Sequence, residues 1–557
     1  LMNINAEYRF ANIPTEHMKR TNFDLSNGVK TSWNTGSLIP LKYFPVLPGD
    51  TFKIKTSKVI RMPSLITPIL DNLFLDVDWF FVPYRLVWSH WKNLMGENSD
   101  SAWIPQNHYS VPQVTSPADT GWSVGTIADY LGIPTGVPGL SVSDLPFRAY
   151  ALIVQEFWRD ENLQDPVNIP VDDTTITGSN GTDYVTDLVK GGMPFTACKL
   201  HDAYTSALPG PQKGPAVQIP VATLDPLPVI TGDIISSDDL TGKTLTWSGK
   251  KNNISIGDMY TGLNSDSAAK LQVSSADSSS NFAYPTNLWA MQSGIASAAT
   301  INELRLAFQI QRLLERNARS GSRMIEAIFA HFGVRSSDAR LQRPEFLGGN
   351  RIPLRIAQVL QQSESNTTPQ GTPVGVSLTT DSHFDFEKSF TEHGIIMAVA
   401  TVRYWHSYQQ GIHPEWLRKD TYDFYWPALA HIGEIGIKNA QLYAQGSSVV
   451  NASGDPVDDE IFGYQEAWYD YKFMPNTITG MMRSTYAQSL DSWHLGDDYD
   501  SLPTLSSSWI KEDLSPVDRV LAVTSENTHQ YFGDFWFDVK ATRVMPYYSV
   551  PGLIDHF

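Results

Sequence analysis

Arg312, Arg316, Arg319 and Arg323 are the side chains of this sequence whose type and spacing best suit chemistry with an anion. Guanidinium forks match pairs of phosphate oxygens, and steps of three and four residues keep such groups on one flank of a helix. The four lie in the one clearly basic stretch of an acidic chain. From Thr300 to Arg343, eight arginines stand against four acids, a local charge of about +4 in a chain of −18. The chemistry would be contact with a nucleic-acid backbone, with bases stacking on nearby rings. The alternative is pairing with Glu303, Glu315 or the carboxylates of a neighbouring chain.

Other constellations fail on spacing. Gly242-Lys243-Thr244 resembles the end of a phosphate-binding loop, but Ser237 stands where the earlier glycine is required. No nucleophile elbow, H-E-x-x-H or paired C-x-x-C occurs. His393, His406, His413 and His431 match no ligand pattern. Asp458, Asp459 and Glu460 lack the spaced ligands and turn glycine of a calcium loop. No catalytic, cofactor-binding or metal-ligating residue is therefore assigned. A second reading rests on Asp76 and Asp78 with the chain's 16 Trp: an acidic, Trp-rich β-protein acting on or binding polysaccharide. The bland account of that pair is the polar face of a strand.

The elements around the arginines follow from periodicity. Thr300 and Glu303 form a capping box. Asn302, Arg305, Gln309, Arg312 and Arg316 share one narrow arc, and Ile301, Leu304, Ala307, Phe308, Ile310, Leu313 and Leu314 fill the rest. That predicts a mostly buried helix with one polar stripe. A second helix carries Ile325, Ile328, Phe329 and Phe332 on one face and ends at Gly333. Leu73, Leu75, Val77, Trp79 and Phe81 alternate with Phe74, Asp76, Asp78 and Phe80, which predicts a strand with a core face and a partly polar face. Phe52 and Ile54 alternate with Lys53 and Lys55, and Phe535, Phe537 and Val539 with Trp536, Asp538 and Lys540. Ile395–Val399 and its interleaved residues are apolar on both faces, as in a central strand. Phe147, Tyr150, Ala151, Val154, Phe157 and Trp158 form the stripe of an amphipathic helix, with Pro146 in its first turn and Ser143 or Asp144 as cap.

Composition bounds the rest. With 557 residues, 35 Pro, 38 Gly and 41% hydrophobic content, the chain is β-rich with elaborate loops. Cys198 stands alone, so no internal disulfide forms. The start shows no apolar signal region, and no apolar run approaches the roughly 20 residues of a spanning helix, so no membrane insertion is expected. The charge of −18 argues against a generic nucleic-acid binder and requires any DNA-facing cations to be concentrated.

INELRLAFQIQRLLERNARSGSR (301–323), HFGV and SSDARLQRPEFLGG (336–349) resemble the major capsid protein of the gokushovirus branch of the Microviridae. So do LPFRAYALIVQEFWRDENLQDPV (145–167), SALPGPQKGP (206–215), FTEHGIIMAVATVR (390–403) and KATRVMPYYSVPGL (540–553). The resemblance implies a mainly β fold: an eight-stranded antiparallel jelly-roll β-sandwich with long loop and helix insertions. It divides the chain into an N-terminal arm (1–50), a first part of the core (51–215), a surface insertion forming a three-fold protrusion (216–290), and a second part of the core (291–557). It implies a structural virion protein that forms pentamers and a T=1 icosahedral capsid around circular single-stranded DNA. Implied partners are a small basic DNA-binding virion protein, a pilot protein, and a host receptor met through the protrusion. The expected place is the virion, made and assembled in the bacterial cytoplasm.

Overall fold

The computed structural model describes residues 19–98, 109–217, 301–362, 364 and 369–549, and the backbone of seven short strands between 229 and 290. Ten strands build the centre: β1 (Arg20–Asp24), β2 (Asn27–Trp33), β3 (Ile39–Val46), β4 (Thr51–Arg61), β5 (Leu73–Pro83), β6 (Glu345–Pro353), β7 (Ile356–Leu360), β8 (Pro373–Ser389), β9 (Gly394–Tyr404) and β10 (Tyr531–Val544). One sheet runs β6-β5-β9-β3. The other runs β1-β10-β4-β8-β7, with β2 also on β10. All these pairings are antiparallel. The chain crosses between sheets at β2–β3, β3–β4, β4–β5, β6–β7, β8–β9 and β9–β10, which is the jelly-roll arrangement expected above.

Ten strands stand against the eight expected above, and three of them come from the predicted arm. Residues 20–24 and 27–33 pair with β10, and 39–46 pair with β9. Their partners lie hundreds of residues away, so no local alternation announces them. Residues 1–18 of the arm, and the Thr300 half of the capping box, lie outside the described residues.

The alternations set the two cores. Leu73, Leu75, Val77, Trp79 and Phe81 of β5, with Ile396, Ala398, Ala400 and Val402 of β9, face Phe52 and Ile54 of β4 and Phe535, Phe537 and Val539 of β10 across the sandwich. Ile395, Met397 and Val399 point the other way, with Phe80 and Val82, into a second core. That core is closed by helix α1 (Leu145–Ile153) and the π turn Val154–Trp158. Phe147, Tyr150, Ala151 and Val154 are buried, as the predicted stripe requires. Pro146 occupies the first turn, but Asp144 does not cap the backbone with its side chain. Its carboxylate instead accepts from Arg148 Nε at 2.6 Å, because a fully buried guanidinium needs a counter-charge more than a helix end does.

Two compact units divide the chain: Leu1–Lys213 with Glu315–Phe557, and Gly214–Leu314. The first contains the sandwich. In the second, Trp247–Lys251 pairs with Ile254–Ser255 and Ala283–Pro285, Met259–Leu263 with Ala269–Val273, and Val229–Thr231 with Leu288–Ala290.

Candidate nucleic-acid and subunit interfaces

The basic residues lie on and after helix α2 (Ile301–Ser320), which is followed by helix α3 (Met324–Phe332). Gly333 ends α3 at φ +69°, its N–H reaching the Phe329 carbonyl at 2.9 Å, as the glycine predicts. α2 is not mostly buried. Ile301, Leu306, Phe308, Ile310 and Leu313 are exposed. Amphipathicity distinguishes the faces of a helix, not what covers them.

The four arginines divide into two pairs. Arg312 and Arg316 are exposed. Arg319 donates from Nε to Glu434 at 3.2 Å, and its other nitrogens meet Glu434 and Gln465 on the hairpin Glu434–Lys438/Ile461–Glu466. Arg323 pairs with Glu161 at 3.2 Å and Glu326 at 3.4 Å, and donates to the carbonyls of Gln155 and Arg159 at 2.7 and 2.9 Å. It therefore fastens the start of α3 to the π turn after α1. These carboxylates are not the Glu303 and Glu315 named from helical spacing. Glu326 is three residues from Arg323, but Glu434 and Glu161 come from distant elements, and spacing alone gives no access to those two.

Asp76 is buried and clamped. Arg351 Nε lies 2.5 Å from Oδ1 and Arg403 Nε 3.1 Å from Oδ2. Burial, and then the charge of Asp76, push Asp78 up to about 7. A carboxylate locked between two guanidinium groups is a structural ion cluster, not an exposed acid–base pair reaching a sugar. Among the described residues, no group of three or more His, Cys, Asp or Glu side chains gathers in a way that could hold a metal. His406 lies fully buried between Asp497 (2.9 Å) and Glu512 (3.3 Å), and His413 accepts from the Glu415 N–H. Burial works against the His406 charge, but the two carboxylates outweigh it and hold the imidazolium at about 9. In the acidic loop, Asp458 accepts from the N–H groups of Gln445 and Gly446, and Asp459 pairs with Lys438 at 2.8 Å. These distant contacts left no sequence signal. The Asp144–Arg148 pair, four residues apart on a helix, did.

Among the described residues, the largest concentration of exposed rings is on the loops between β9 and β10. Trp416 is 82% exposed and Tyr422 79%. Trp405, Phe424, Tyr425, Trp426, Tyr471 and Tyr486 are also open, as are Met474 and Met481. Beneath them, Tyr204, Tyr408, Phe462, Tyr469 and Trp509 form a third apolar cluster that holds the loops. Soluble monomers rarely present such extended apolar surface, whereas obligate interfaces are enriched in aromatic residues, Met and Arg. Among the described residues, no helix is long and apolar enough to cross a membrane.

An antiparallel jelly roll bearing large exposed rings suits a subunit that works through contact with other chains. The comparisons place it more narrowly. The chain belongs to the phage capsid protein (F protein) family, whose model matches residues 11–553. It is similar to capsid protein VP1 of Spiroplasma virus 4, 40% identical over 98% of this chain and 97% of that one. The capsid protein VP1 of Chlamydia phage 1 is 37% identical over 98% and 97%, and that of Bdellovibrio phage phiMH2K 36% identical over 99% and 98%. The protein is a structural component of the virion that assembles into the capsid shell, and it is not an enzyme. The polysaccharide reading is set aside on this ground.

Proposed function

We propose that copies of this chain join as pentamers and close into a T=1 icosahedral shell around circular single-stranded DNA. The observation that carries the reading is the band of exposed rings around Trp416, Tyr422 and Trp426. Burying them between subunits supplies the apolar area that obligate interfaces of about 2,000–5,000 Å² require. Arg312 and Arg316, with guanidinium groups open to solvent, meet DNA phosphates. Arg319 and Arg323 keep α2 and α3 in place and contribute field more than direct contact. An acidic subunit leaves most phosphate charge unmatched, which calls for a small basic DNA-binding virion protein beside it. A pilot protein completes the particle. The insertion at 216–290 faces outward and meets a host surface receptor.

Electron microscopy of assembled particles tests the lattice, and any symmetry other than T=1 overturns it. Arg312→Glu with Arg316→Glu tests the DNA contact. Reduced DNA per particle is expected, and unchanged DNA content and yield reject it.

A further inference from the structure

Ile325, Phe329, Arg335, Ser337, Phe346 and Lys388 line an open cavity of about 600 Å³ between α3, the loop after it, and the ends of β6 and β8. That volume lies within the range of about 300–1,000 Å³ common for small-ligand sites. We infer that this cavity holds an unpaired base of single-stranded DNA together with its phosphate. The inference rests on the DNA-enclosing reading above and names a second, stacking site for that DNA.

The floor is aromatic and accessible. Phe329 and Phe346 are each about half exposed, and Phe346 rests against Phe80 with ring centroids 5.6 Å apart. A ring so supported presents a flat surface to a base without first paying to order itself. Charge selects the ligand. Three acids stand on the wall, and each is matched: Glu326 by Arg323 at 3.4 Å, Asp338 by Arg343 at 3.3 Å, and Glu345 by Lys388. Arg335 is exposed, with its guanidinium 5.0 Å from the Phe329 ring, and among the described residues no carboxylate pairs with it. An apolar slot with one uncommitted guanidinium at its rim and two serine hydroxyls, Ser336 and Ser337, suits a flat ring tethered to a single negative charge. A duplex hides its bases and cannot enter.

The test uses the full chain and a labelled oligodeoxythymidine, with a duplex of equal length as reference. Phe329→Ala or Phe346→Ala is expected to weaken single-strand binding about tenfold while leaving the salt dependence unchanged. Arg335→Gln is expected to weaken it and to lower the salt slope by about one charge. Arg312→Gln with Arg316→Gln is expected to lower the slope by about two charges and to leave the effect of Phe346→Ala intact, so failure of the α2 reading is separable. In particles grown with bromodeoxyuridine, ultraviolet adducts are expected on peptides spanning 325–346. Unchanged affinity in all three cavity variants overturns the inference. So does the absence of such adducts, or a loss of assembly with oligonucleotide binding intact, which would assign the cavity to another copy of the chain.

Discussion

Half-buried Asp78 and buried His406 make the stability of the subunit depend on pH in a defined direction. Asp78 titrates at about 7 in the fold, and an unfolded aspartate at about 3.9. The folded chain therefore holds that proton more tightly. This contribution is complete below about pH 4 and is lost as pH rises through about 7. Asp78→Asn is expected to flatten the fall in Tm between about pH 5 and about pH 7.5, as read by thermal melting of unassembled subunit. His406 is also raised, to about 9, so its contribution is complete below about pH 6.5 and fades as pH rises through about 9. His406→Gln leaves Asp497 with Lys199 alone, at 3.9 Å, and removes the cation between Asp497 and Glu512. A loss of about 3–5 kcal/mol is expected in urea unfolding, and a loss under about 1 kcal/mol would show that the cluster does not hold the loops.

At the level of elements, strands with a burial period of two were readable and those paired across the whole chain were not. Leu73–Phe81 and Ile395–Val402 state their faces in their residue types, because both sides of the four-stranded sheet are covered by apolar layers. Asn27–Trp33 alternates weakly, since one of its faces meets solvent and its partner is β10. α2 shows the opposite: its strong pattern predicts burial within the chain, yet its greasy faces are left open. The arginines are legible as a basic cluster, but the engagement of Arg319 and Arg323 is not, because Glu434 and Glu161 belong to other elements. β9 also has little room beside β5. A Cβ on Gly394 would sit 2.5 Å from the Val82 carbonyl oxygen and 2.6 Å from the Phe81 ring. Gly394→Ala is expected to cost about 1–3 kcal/mol by forcing the two strands apart, measured by denaturant midpoint.

For the molecule as a whole, folding and assembly draw on different residues. Trp416 makes its surface available while Trp79 and Trp88 are enclosed. Trp416→Ser is expected to change subunit stability by no more than about 0.5 kcal/mol. The same substitution is expected to raise the concentration needed for particles at least tenfold, as an interface anchor worth about 2 kcal/mol requires; sedimentation velocity reads the difference. The position of β10 sets a timetable as well. Tyr531–Val544 lies between β4 and the strands Arg20–Asp24 and Asn27–Trp33, so the six-stranded sheet joins its first two strands to the rest through the last of the described strands to be made. A nascent copy stopped before Tyr531 has the interface loops but no finished sheet to carry them. Incomplete chains that lack this strand are thereby expected not to seed a lattice, and its docking becomes the moment at which a subunit is fit to join one.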